Sequence, residues 1–179
     1  MIDLSIDDGI ATIIWNVADR PMNVLNDASI GAFESAVRRI IADQEVKGAI
    51  ISSSRPEFVV GADLDTLRGI DDPAKAMKIA GRLSLLFREI ETAGKPFVAA
   101  INGSALGGGY EICLACHYRL AADNPKTQIG LPRSHAGATS RRRRNATFAA
   151  DDRLEECATD ADGGPQGRRR QGKRNGAGR

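Results

Sequence analysis

The chain has 179 residues, 42% of them hydrophobic and 27% charged, with a formal net charge of +2. That length is enough for one domain with a real core. No apolar run is long enough to span a bilayer, and the acidic, alternating start Met1-Ile2-Asp3-Leu4-Ser5-Ile6 does not read as a signal peptide. The charge is unevenly spread: residues 1–132 carry 13 basic and 17 acidic groups, a net of −4, and residues 133–179 carry 12 and 6, a net of +6. Three cysteines suggest a reducing compartment, with the cytoplasm as the default, rather than a disulfide framework.

Along the chain, Ile2–Ile6 and Ile10–Trp15 read as strands of a hairpin closed by Asp7-Asp8-Gly9. Asn26 or Asp27 caps a helix running to about Ala42, with Ile30, Phe33, Val37, Ile40 and Ile41 on one face. Ala49-Ile50-Ile51 is a short buried strand, followed by a loop to Gly61, and Asp63–Arg68 forms a short helix. Pro73 opens a longer helix with Met77, Ala80, Leu83, Phe87 and Ile90 inward and Gly94 just past its end. Phe97–Ile101 is a strand, Gly108–Cys116 a helix and Tyr118–Ala122 a further strand. Alternating helices and short apolar strands predict an α/β fold with parallel pairing.

The tail from Arg133 holds only Phe148 and Leu154 among large apolar residues, too few to offset its chain entropy, and is expected to be disordered. Two domains of unlike character follow: residues 1–132 and an Arg/Gly-rich tail, 133–179.

The run Leu106-Gly107-Gly108-Gly109-Tyr110-Glu111 carries the functional signal. Glycines at a strand-to-helix turn let a carbonyl approach backbone N–H groups that have no intrahelical partner. A carboxylate one turn on adds an acid/base group beside that oxyanion site. Close helix–strand packing and a capping carboxylate are the plainer readings of the same residues.

Five segments carry a family resemblance. They are Arg20-Pro21-Met22-Asn23-Val24-Leu25-Asn26, Phe58-Val59-Val60-Gly61-Ala62-Asp63-Leu64, Lys95–Gly103, Ala105–Glu111 and Thr127–Pro132. In order and spacing, residues 1–132 resemble the enoyl-CoA hydratase/isomerase (crotonase) superfamily, most of all the hydratase portion of multifunctional fatty-acid oxidation proteins. The resemblance implies a spiral of ββα turns, an acyl-CoA thioester substrate in β-oxidation, and no cofactor beyond the CoA of the substrate. It implies backbone N–H groups of Val60 and Gly108 as the oxyanion hole, Val60, Gly61, Ala62, Asp63, Leu64 and Gly108 as the substrate-binding set, and Glu111 as a catalytic carboxylate. Family members are usually homotrimers or hexamers, an assembly not expected of a truncated chain.

The family's second glutamate belongs directly after Leu131-Pro132, where this chain has Arg133. Codons for Arg133–Ser140 can be chosen so that reading one base later gives Glu-Val-Thr-Leu-Gly-Leu-Leu-Pro. Continued through Arg153, the shifted frame allows Gly-Ala-Gly-Gly-Thr-Gln-Arg-Leu-Pro-Arg-Met-Ile-Gly, the sequence a crotonase should have there. The tail therefore reads as an out-of-frame product. Impaired hydration of a trans-2-enoyl-CoA is expected, with isomerase activity or non-catalytic acyl-CoA binding as alternatives.

Other patterns weigh less. Cys113-Leu114-Ala115-Cys116-His117 has the spacing for covalent haem, but two thiols three apart on an apolar helix more often pack in a core. His117 and His135 are the only histidines, so no metal site is expected. Arg141–Arg144 and Arg168–Arg170 could bind phosphates non-specifically, yet a solvated tail explains them, and no specific nucleic acid is expected as partner. Arg55, Lys95 and Arg119 are candidates for neutralising CoA phosphates.

Overall fold

A computed structural model describes residues 2–18, 20–69 and 72–131, and the backbone of Glu155 and Glu156. The expected tail, including Arg133, His135 and the arginine runs, otherwise lies outside the described residues.

The elements follow the ββα rhythm. Strands β1 (Ile2–Asp7) and β2 (Ile10–Trp15) form the antiparallel hairpin, with Ile2 opposite Trp15. Helix α1 (Asp27–Ala42) leads to β3 (Gly48–Ser53), then the short α2 (Leu64–Arg68) and the long α3 (Pro73–Glu91). Strands β4 (Phe97–Ile101) and β5 (Ala105–Leu106) precede α4 (Gly108–Ala115), and β6 (Tyr118–Ala121), β7 (Ile129–Gly130) and β8 (Glu155–Glu156) follow. The main sheet runs β1-β2-β3-β4-β6-β8, parallel throughout except at the hairpin.

One face of this sheet is dry. Ala11, Ile13 and Trp15 on β2, Ala49 and Ile51 on β3, and Phe97, Ala99 and Ile101 on β4 are buried. The helices bring Ile30, Phe33, Val37 and Ile40 from α1, Leu86, Phe87 and Ile90 from α3, and Ile112 and Cys113 from α4. The Trp15 and Phe33 rings lie 5.4 Å apart, tilted by 49°, within the range aromatic pairs favour.

Both long helices start as their sequences direct. Asn26 caps α1 in a reciprocal box: its Oδ1 accepts from Ser29 N at 2.8 Å, and its own N–H donates to Ser29 Oγ at 2.9 Å. Asp72 caps α3 through Ala74 N, with Pro73 in the first turn. The inward face of α3 differs from the expected one. Met77 is 67% exposed and Ala80 is exposed, whereas Ile79, Leu83, Leu86, Phe87 and Ile90 face inward. At 3.6 residues per turn Met77 lies about 140° around α3 from Ile90 and Ala80 about 80°, so both sit off the strip that Ile79, Leu83, Leu86 and Ile90 share.

A second, smaller layer follows each main strand. Leu25 bridges to Ala62, Val59 bridges to Ala105, and β5 pairs with β7, all in parallel. The order main strand, short second-layer segment, helix recurs as β2–Leu25–α1, β3–Val59–α2 and β4–β5–α4. This recurring order fits the α/β fold of successive ββα turns that the resemblance implies.

Candidate active site

Asn23 builds the ground under the site. It is fully buried, and its Nδ2 donates to Trp15 O (3.2 Å), Ser53 Oγ (2.8 Å) and Phe58 O (3.0 Å), while its Oδ1 accepts from Val17 N at 3.0 Å. One amide thus joins the ends of β2 and β3 to the 54–61 loop. The Asn23 carbonyl also accepts from Val60 N at 2.9 Å. This corrects the expected oxyanion pair: the Val60 N–H is already engaged and is not free for a ligand.

The free amide lies two residues on. Leu25 N donates to Gly61 O at 2.8 Å, and Asp63 N donates to Leu25 O at 2.9 Å. In a parallel bridge those two bonds straddle Ala62, so the Ala62 N–H is directed away from Leu25. It has no hydrogen-bond partner among the described residues. Gly61, at φ +101°, makes the bend that permits this, and a Cβ there would lie 3.1 Å from Leu106 O.

The opposite wall is the start of α4. Gly107 sits at φ 54°, ψ −125°, a conformation essentially reserved for glycine, and its N–H donates to Gly130 O at 3.0 Å. Gly108, the first helical residue, also has no N–H partner among the described residues. Neither Gly108 nor Gly109 has room for a side chain. A Cβ on Gly108 would lie 2.3 Å from Leu25 Cδ1, and one on Gly109 would lie 1.9 Å from Val59 O. The Glu111 carboxylate is close by, with Oε2 3.9 Å from that same Gly108 Cβ position.

Between these walls is a cavity of about 140 Å³. Ala62, Asp63, Gly108 and Glu111 line it together, so the structure gathers these four of the expected site residues. Val60, Gly61 and Leu64 are not in its lining, and Leu64 is 64% exposed. The sequence reading missed Leu25, Ile30, Ile79 and Leu83 as an apolar wall, with Asn26, Asp27 and Thr66 completing the lining. The i, i+4 pair Ile79 and Leu83 was the available signal. An apolar cavity of ~150 Å³ holds a benzene-sized molecule, so this one suits a small acyl end.

Asp63 is held by Arg20, whose Nη2 lies 2.8 Å from Asp63 Oδ2 and whose Nη1 lies 3.0 Å from Asp65 Oδ2. The hydrogen bond to Asp65, and then the charge of Asp63, push the Arg20 guanidinium further above its ordinary range. The three candidate phosphate-binding cations have structural work. Arg55 donates to Val17 O and Pro21 O, Lys95 to Ile40 O and Asp43 O at the end of α1, and Arg119 to Cys113 O and Cys116 O at the end of α4. Cys113 and Cys116 are buried, and desolvation pushes both thiols up, Cys116 to about 12. His117 Nδ1 accepts from Phe97 N at 3.1 Å. These buried, protonated thiols suit core packing and not haem attachment. Among the described residues no cluster of ligating side chains could hold a metal ion, and no helix is long and apolar enough to cross a membrane.

A family model described as enoyl-CoA hydratase/isomerase matches residues 5–147, fifteen residues beyond the resemblance read from the motifs. The fatty acid oxidation complex subunit alpha of Idiomarina loihiensis is 39% identical over 132 residues, 73% of this chain and 19% of that protein. Its counterpart from Shewanella halifaxensis is 37% identical over the same shares. The chain therefore spans about a fifth of the length of these relatives. An enoyl-CoA hydratase of known structure from Bacillus anthracis superposes with a TM-score of 0.66 at 27% identity, over 73% of this chain and 50% of that one.

Proposed function

The chain belongs to the enoyl-CoA hydratase/isomerase family, and from that premise we propose that it forms the carbonyl-polarising half of an enoyl-CoA hydratase site. The observation that carries this reading is one cavity lined by Ala62, Gly108 and Glu111. The Ala62 and Gly108 amides are the oxyanion donors in this proposal, with Ala62 in place of Val60. An acyl-CoA thioester is the substrate, and CoA enters as part of it rather than as a cofactor.

In hydration of a trans-2-enoyl-CoA, a base takes a proton from water as the oxygen bonds to C3. The C2–C3 π electrons move toward C2 and the thioester oxygen, and a proton then reaches C2. Negative charge on that oxygen is greatest between the two steps, so donors fixed beforehand lower the barrier. Glu111 activates the water. A second carboxylate managing the C2 proton is needed at the position of Arg133, where a cation cannot serve.

We therefore propose that residues 1–132 are the family domain's first part and that 133–179 is an out-of-frame tail, leaving hydration impaired and trimer or hexamer assembly incomplete. A cytoplasmic location is part of the proposal, resting on a chain whose three cysteines do not form a disulfide-framework pattern.

Two measurements test this. Hydration of crotonyl-CoA, followed by loss of enoyl absorbance, should be slight or absent, and ordinary turnover would overturn the impairment. Sequencing the coding DNA across Gly130 to Ser140 should reveal either an intact frame with a glutamate codon or a true shift; a frame offering no such glutamate in any register would overturn the out-of-frame reading. A second reading is favoured by the cavity itself. Glu111 is the one glutamate in its described lining, and a single base can move a proton from C2 to C4. Conversion of a 3-enoyl-CoA to its 2-enoyl isomer without hydration would select the isomerase reading.

A further inference from the structure

The segment that carries Ala62 is thinly supported. Before it stands Gly61, and after it comes α2, only five residues long, too short to hold its own conformation. Two backbone bonds to Leu25 fix it on one side. Its neighbour Asp63, whose N–H makes one of those two bonds, is otherwise held through its carboxylate. Asp63 Oδ1 accepts from Asp65 N at 3.2 Å, and Oδ2 accepts from Thr66 Oγ1 at 3.3 Å and from Arg20 Nη2 at 2.8 Å.

Arg20 reaches this carboxylate from 43 residues earlier in the chain, and its other terminal nitrogen grips Asp65. The Asp63 side chain is only 8% exposed. Without the guanidinium it would keep a poorly hydrated charge beside the cavity with no cation, and it would turn toward water. Ala62 would turn with it. Donor placement matters at the scale of ~0.5 Å and 10–20° for such a site.

We infer that Arg20 is a positioning residue: through Asp63 it aims the Ala62 N–H at the thioester oxygen. This rests on the oxyanion reading proposed above. Arg20 itself need not touch the substrate.

The test uses the whole chain and the CoA thioester of 4-(dimethylamino)cinnamic acid, whose absorption moves to longer wavelength when its carbonyl is polarised. The unsubstituted chain should shift the band on binding. At saturating ligand Arg20→Ala should lose more than half of that shift, while ligand still binds. Asp63→Asn should lose as much, and the double variant no more than either, because the two residues act as one unit. Arg20→Lys keeps the charge but reaches only one carboxylate and should retain an intermediate shift.

A merely structural role would lower the denaturation midpoint and leave the saturated shift intact. A full shift in Arg20→Ala, or losses that add in the double variant, would overturn the inference alone. If Arg20→Ala does not fold, Arg20→Lys and Asp63→Asn decide: full shifts in both overturn it, and reduced shifts in both support it. No shift in the unsubstituted chain would overturn the oxyanion reading, and this inference with it.

Discussion

In the main sheet, adjacent strands pair over as many as six residues and bury alternate side chains. In the second layer, successive turns meet at single residues, Leu25 with Ala62 and Val59 with Ala105, or over two, β5 with β7. The first region draws its stability from apolar area, a non-directional quantity that tolerates exchange of similar side chains. The second is set by backbone bonds, a buried amide and glycines packed against main chain, where direction and clearance decide. The cavity lies against the second layer, so the least redundant part of the molecule lines the proposed site.

Adding one methyl group to the second layer should be the severest blow. Gly109→Ala puts a Cβ where Val59 O stands, at 1.9 Å, and neither backbone can yield cheaply. A loss above about 4 kcal/mol is expected in urea denaturation, in the range reserved for gross misfit. A near-native midpoint would mean that α4 can slide on its neighbours.

Asn23→Ala comes next. It strips the partner from the buried Val17 N–H and from the Phe58 carbonyl, while the Trp15 carbonyl keeps the Ser54 N–H, and each orphaned group costs about 1–3 kcal/mol. We expect a loss of roughly 3 kcal/mol or more in the same assay, together with weaker thioester binding because the Val60–Ala62 path loosens.

Removing a methyl group from the main sheet should cost far less. Ile51→Val, at a fully buried position on β3, should lose about 1 kcal/mol. A loss as large as that of Gly109→Ala would erase the distinction between the layers.

The mildest prediction concerns Cys113 and Cys116, at the end of the helix that joins both layers, and at neutral pH it amounts to no effect. Burial raises both thiols, Cys116 to about 12, so the folded chain holds their protons more tightly than the unfolded chain does. That contribution is whole below the unfolded thiol's range, near pH ~8.5, and is lost as pH rises through it toward the folded value. The denaturation midpoint should fall above about pH 9 more steeply in the unsubstituted chain than in Cys116→Ala. Thiol reagents should label Cys113 and Cys116 only under denaturing conditions.

Much of the fold is legible in the sequence because its signals are local. Asn26 and Pro73 mark helix starts by chemistry within four residues, and Ile10–Trp15 alternates along one short strand. The inward face of α3 differs from the expected one at Met77 and Ala80 because the apolar residues wrap beyond one face, and only packing shows that the strip centred on Ile90 meets the sheet. The second-layer bridges at Leu25, Val59 and Ala62 left no trace in periodicity, since a one-residue bridge has none. Likewise Val60 and Ala62 both lie in the glycine-bearing loop, and only the Asn23 carbonyl distinguishes an engaged amide from a free one.

From its own sequence this protein had an α/β fold, a family, a glycine turn with Glu111 one turn into the helix, and a change of character at Arg133. Those follow from residue chemistry at short range and from motif order. Only the tertiary structure decided that Ala62 faces the cavity, that Ile79 and Leu83 wall it, and that Arg20 holds Asp63 across 43 residues. A hydrogen bond depends on distance and direction at once, and neither exists until segments far apart in the chain have been brought together.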